Sequence, residues 1–94
     1  MLNKDQLKTL RRLSHEENAV VSVGKAGITE TLLESFELAL FSHNLVKVSL
    51  QKTAPITKEE LIEVIEEQFG TTTVSKVGRV VVFYRYNPKG RVKV

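Results

Sequence analysis

Val23-Gly24-Lys25-Ala26-Gly27-Ile28-Thr29-Glu30 joins a β-branched run to an amphipathic helical pattern, and the fold turns on this junction. Upstream, Ala19-Val20-Val21-Ser22-Val23 is short, β-branched and bounded by Gly24, so it reads as a strand. Downstream, Thr29 is an N-cap and Glu30 suits the dipole of a first helical turn. Leu32, Leu33, Phe36, Ala39 and Leu40, with Phe41 at the margin, form the apolar stripe of a helix running to about His43. Glu30, Glu34 and Glu37 take its wet side. The glycines allow positive φ and close backbone approach, and the free N–H groups of a helix start favour an anion.

Working outward, Asn44 ends this helix, and Leu45-Val46-Lys47-Val48-Ser49-Leu50 alternates as a strand. Gln51 to Ile56 is a loop. Thr57-Lys58-Glu59-Glu60 matches a capping box, with Glu60 three residues after the threonine. Leu61, Ile62, Ile65 and Phe69 stripe the helix that follows, and Gly70 stops it. Thr71 to Val77 reads as a strand, Val77-Gly78 as a tight turn and Arg79 to Arg85 as a second strand. Towards the N-terminus, Leu7, Leu10 and Leu13 recur at helical spacing from Lys4 to Leu13, with Asn3 as N-cap and Lys4, Lys8, Arg11 and Arg12 mainly on other faces. Ser14 to Asn18 is a polar connector.

The element order is therefore α-β-α-β-α-β-β. Strands alternating with helices imply parallel β-α-β crossovers, and the closing hairpin supplies one antiparallel neighbour. The expected fold is a two-layer α/β domain with a four-stranded mixed sheet. Residues 1–86 are expected to form one domain and residues 87–94 a basic, flexible tail.

Composition narrows the function. Residues 1–29 carry five basic and three acidic groups, net +2. Residues 30–67 carry three lysines against eight glutamates, net −5, and residues 68–94 carry six cations and no acid. Basic ends around an acidic middle fit a polyanionic partner facing the termini. The same asymmetry arises when glutamates merely solvate helix faces. There is no cysteine, so a disulfide framework and a thiolate metal site are excluded. With no signal-peptide pattern behind Met1 and no stretch of membrane-spanning length, a cytoplasmic location is expected, with no membrane partner.

A catalytic site is not legible. His15 lies in a polar loop and His43 at a helix end, without metal-ligand spacing. Glu59, Glu60, Glu63, Glu66 and Glu67 are spaced for a solvated helix face, not for an acid/base pair. The expectation is a protein that is not an enzyme and takes no metal, cofactor or small-molecule substrate. Gly24-Lys25-Ala26-Gly27 is neither a P-loop nor a dinucleotide fingerprint. A GxxG turn entering a helix can be structural, but it is also how KH-type modules clamp single-stranded backbone.

Three blocks in order carry a resemblance. They are Val20 to Thr29, then Ala39-Leu40 with His43 to Val48, then Val77-Gly78-Arg79 leading to Tyr84-Arg85. Together they resemble the CRM domain (chloroplast RNA splicing and ribosome maturation), and the stand-alone bacterial YhbY-like proteins in particular, from about residue 3 to 86. The resemblance implies a fold similar to the C-terminal domain of translation initiation factor three, with the GxxG loop on an RNA-binding surface. It also implies association with ribosomal RNA in precursor large ribosomal subunits, a role in ribosome assembly, and no catalysis.

The RNA-binding residues implied are Gly24, Lys25, Ala26 and Gly27, with Lys4, Lys8, Arg11 and Arg12 on the first helix and Lys47, Arg79 and Arg85 in the later blocks. A monomer is expected. Asn44 departs from the family, which usually has glutamate after the histidine, and this removes a possible partner for Lys47. The alternative function is an adaptor that docks a basic ribosomal protein through the acidic helices.

Overall fold

The computed structural model describes residues 2–16 and 20–87. In chain order the elements are α1 (Lys4–Ser14), β1 (Val20–Val23), α2 (Glu30–His43), β2 (Leu45–Leu50), α3 (Lys58–Phe69), β3 (Thr72–Val77) and β4 (Val80–Tyr84). The first residue of the expected β1, Ala19, and the expected tail from residue 88 onward lie outside the described residues.

Helix ends follow local chemistry. The Asn3 side chain accepts the Gln6 N–H at 2.8 Å, and Gln6 Oε1 accepts the Asn3 N–H at 2.9 Å. Thr57 and Glu60 make the same reciprocal pair on α3, both bonds 3.1 Å long. Each satisfies donors that a helix start leaves without a partner. Gly70 closes α3 in the left-handed region at φ 65°. Asn44 closes α2 the same way at φ 50°, fully buried, its N–H donating to the Leu40 carbonyl at 2.8 Å. Asparagine tolerates this conformation far better than most side chains do. The Asn44 departure from the family pattern thus stands where the backbone needs a left-handed cap.

The sheet is four-stranded and mixed, in the order β1-β2-β4-β3. β1 and β2 are parallel, and β4 is antiparallel to both β2 and β3. The hairpin pattern predicts one antiparallel neighbour for β4; it has two, because β4 inserts between β2 and β3. Burial explains the choice. Val81, Val82, Phe83 and Tyr84 are all buried, and a central strand covers both of its faces. β3 carries Thr72, Lys76 and Val77 exposed and takes the edge.

The helices divide between the two faces of the sheet, so the expected two layers become three. On one face, Phe36 and Leu40 of α2 and Leu61, Ile65 and Phe69 of α3 pack on Val23, Val46, Val48, Leu50, Val81 and Phe83. Phe36 anchors this core, its ring 5.2 Å from Phe69 and 5.7 Å, edge-on, from Phe83. On the other face, Leu10 of α1 packs on Leu45, Val74, Val82 and Tyr84, with Leu2 and Leu13 at the margin. Alternate residues of β2 and β4 feed the two cores, as the pleat dictates.

Phe41 does not extend the α2 stripe. It is 61 % exposed, and Leu38 is 70 % exposed. One residue beyond Leu40 is about 100° further round the helix, which carries Phe41 off the sheet.

Candidate nucleic-acid interface

β1, β2 and β3 run in one direction, so the loops that follow them emerge at one end of the sheet. These are the Gly24–Gly27 turn, the Gln51–Thr53 segment and the Gly78–Arg79 hairpin. Backbone bonds tie them together. The Gln51 N–H donates to the Val23 carbonyl at 2.9 Å, and the Leu50 N–H donates to the Arg79 carbonyl at 2.8 Å. Gln51 Nε2 also donates to Ser22 Oγ at 3.2 Å.

The glycine turn is a tight one, closed by the Gly27 N–H donating to the Gly24 carbonyl at 3.0 Å. Gly27 is buried at φ 71°, and a Cβ there would lie 3.2 Å from Pro55 Cγ. The positive φ favours glycine, and the proline leaves little room for a side chain. Lys25 and Ala26, between the glycines, are exposed. Among the described residues, no group takes the Lys25 or Ala26 amide as a donor. The helix proper begins three residues beyond Gly27. Its first turn is already served by Thr29, whose Oγ1 accepts the Leu32 N–H at 3.1 Å. An anion at this end would thus meet the turn amides and the Lys25 ammonium before it met the N-terminus of α2.

The cations named from sequence fall into three groups. Lys25 and Arg79 share the turn end, and both are exposed. Lys4, Lys8, Arg11 and Arg12 lie exposed along α1, which crosses the opposite sheet face from the glutamates. Arg11 Nε also donates to the Val74 carbonyl at 3.1 Å, which pins that side chain along β3. Lys47 is half-buried on the same face as α1, in a row with Val20, Val82 and Ser75.

Arg85 is not brought to the turn. Its N–H donates to the Asn44 carbonyl and its Nη1 to the Phe69 carbonyl, at 3.0 and 3.1 Å. That is the far end of β2, roughly 20 Å from the glycine turn at the strand rise per residue. Lys4, at the start of α1, lies towards that end too.

Lys52 is not among the residues named from sequence. It is exposed in the loop after β2, beside the glycine turn. The signal was available: two parallel neighbouring strands put their following loops at the same sheet end. All eight glutamates of residues 30–67 sit on α2 and α3, across the sheet from α1. No helix among the described residues is long and apolar enough to cross a membrane.

The chain is similar to known proteins. A 31 % identical RNA-binding protein of Haemophilus influenzae aligns over 93 residues, covering 99 % of this chain and 94 % of its own length. A Pseudomonas aeruginosa protein named "Probable RNA-binding protein" is 31 % identical over 88 residues, covering 94 % of this chain and 85 % of its own. The solution structure of the hypothetical protein SAV1595 from Staphylococcus aureus superposes with a TM-score of 0.74 at 30 % identity. That match covers 93 % of this chain and 91 % of the other. The family model of the CRS1 / YhbY (CRM) domain matches residues 2–85, which takes in all three helices, the whole sheet and the glycine turn, and the chain belongs to that family.

Proposed function

We infer that this protein binds RNA without catalysing a reaction, and that its ligand is ribosomal RNA in a precursor of the large ribosomal subunit. On this reading it acts in the cytoplasm as a monomer and assists subunit assembly. Residues 1–86 serve as one binding domain, and residues 87–94 add a basic tail. The observation that carries the reading is the gathering of Lys25, Lys52, Arg79 and two open turn amides at one sheet end, next to the cationic α1 face. The names of the relatives support RNA as the ligand class. The turn amides and Lys25 grip phosphates, α1 and Lys47 add cations, and contact is made with backbone and shape more than with sequence.

Lys25→Ala tests this. Each phosphate contact contributes roughly 0.7–0.9 to the slope of log affinity against log salt. Filter binding of ribosomal RNA at two salt concentrations should show weaker binding by the variant and a shallower slope. Unchanged affinity together with an unchanged slope would sink the reading.

A second reading has its own support in the glutamates. Glu30, Glu34 and Glu37 of α2 line a groove against Gln68 and Phe69 of α3. An adaptor could dock a basic ribosomal protein there, with the glycine turn purely structural. Such an adaptor would bind RNA weakly, and charge reversal on α1 would leave that binding unchanged.

A further inference from the structure

Among the described residues, α1 does not cover the whole of its face of the sheet. It ends at Ser14, and beyond it two rows of side chains continue towards the turn end. Register defines them as Lys47, Val82 and Ser75 in one row, and Ser22, Ser49, Val80 and Val77 in the next. A wet sheet face normally presents polar side chains. This one presents Val77 at 73 % exposure and Val80 half-buried, with Val20 at 55 % beyond Lys47.

The short serine side chains leave low ground between the taller valines. The result is a groove of about 280 Å³ lined by Ser14, His15, Lys47, Ser75, Val77, Val80 and Val82. That is small for a ligand site, with room for one planar ring and not for stacked pairs. None of the described lining residues is a carboxylate. Lys47 sits in the groove, and Arg79 immediately precedes Val80 in the chain. From the turn at the end of β1 to β4 is two strand spacings, roughly 10 Å, so a chain held at the turn reaches the groove within a few nucleotides.

We propose that this groove receives one unpaired nucleobase of the RNA whose backbone is held at the glycine turn. The proposal rests on the RNA-binding reading above and adds a base-contacting element to it. The ring lies on the Val77 and Val80 methyls with the His15 imidazole at its rim. Lys47 and the Ser75 hydroxyl supply polar contacts to its edge. A base stacked within a duplex cannot enter, so the protein prefers RNA with a single-stranded or bulged nucleotide beside the clamped phosphates. Apolar contact with the flat face of a base is tolerant of sequence, and Lys47 and Ser75 meet polar edge atoms of a kind that every base carries.

The test uses the full chain and two fluorescein-labelled probes, a ten-residue oligouridylate and a ten-residue abasic ribose-phosphate oligomer. Fluorescence anisotropy should show the oligouridylate binding about five- to tenfold more tightly, a modest share of what base contacts contribute elsewhere. Val77→Ser, at an exposed position, should remove part of that preference, and Val77→Ser with Val80→Ser most of it, with salt slopes unchanged. Methyl NMR of the unmodified protein provides a readout independent of any variant's folding. The Val77 and Val80 methyl resonances should move with the oligouridylate and stay still with the abasic probe. Equal affinity for the two probes, or unmoved methyls, overturns the groove while Lys25→Ala still reports on the backbone clamp. If neither probe binds, the clamp and the groove fall together.

Discussion

The two faces of the sheet do different work. The α2/α3 face buries eleven side chains in one core, and its helices carry all eight glutamates of residues 30–67. The α1 face buries five, leaves two rows of the sheet uncovered among the described residues and carries the four cations of the first helix. Stability is concentrated where the surface is acidic and would repel a polyanion. Positive charge is concentrated where the core is thin and the sheet stays accessible. A small domain thus separates the face that holds it together from the face available to a ligand, with the glycine turn at the end where both meet.

The largest effect that could break this contrast is in the cores. Phe36→Ala removes the ring shared by Phe69 and Phe83 and should cost about 3–5 kcal/mol in urea unfolding. Leu10→Ala, on the thinner side, should cost about 2–3 kcal/mol. Native-state hydrogen exchange should then show α1 amides opening below the global free energy. Equal costs, with α1 exchanging only on global unfolding, would mean that the two faces form one cooperative core.

Charge comes next. Lys8→Glu with Arg12→Glu should weaken ribosomal RNA binding by about tenfold or more near 0.1 M salt, equivalent to about 1.4 kcal/mol or more. Glu34→Lys with Glu37→Lys, on the opposite face, should change it less than about twofold. A reversed ranking would favour the adaptor. The turn itself is sharpened by Gly27→Ala, which meets both a positive φ and Pro55, and should lower stability by about 1–2 kcal/mol. Gly78 also has positive φ, but no heavy atom lies within 4 Å of where its Cβ would stand, so Gly78→Ala should cost only about 1 kcal/mol. The smallest effect is at Phe41. Phe41→Ser should stay within about 0.5 kcal/mol by thermal unfolding, because the ring packs outside both cores.

Much of this was legible in residue patterns. The caps at Asn3, Thr29 and Thr57 and the stops at Asn44 and Gly70 are local chemistry, written within four residues of each helix end. Element bounds moved by no more than a residue or so for the same reason. The glycine turn could be singled out because positive φ and close packing leave few alternatives to glycine. Phe41 misled because a helical stripe has a margin, and which side of it a residue falls on depends on the sheet beneath.

Sequence alone determined the elements, their order, the capping and the blockwise charge, since each rests on interactions between near neighbours in the chain. Tertiary structure decided the rest. It inserted β4 between β2 and β3, because the most apolar strand gains most from burial on both faces. It sent α1 to the opposite face from α2 and α3, because Leu45, Val82 and Tyr84 needed cover of their own. Those two choices set the cations of α1 on one face of the sheet and the glutamates of α2 and α3 on the other. They also carried Arg85 away from Lys25, brought Lys52 beside it, and left the Val77–Val80 groove open. Each depends on residues far apart in the chain meeting across the sheet, which no local pattern encodes.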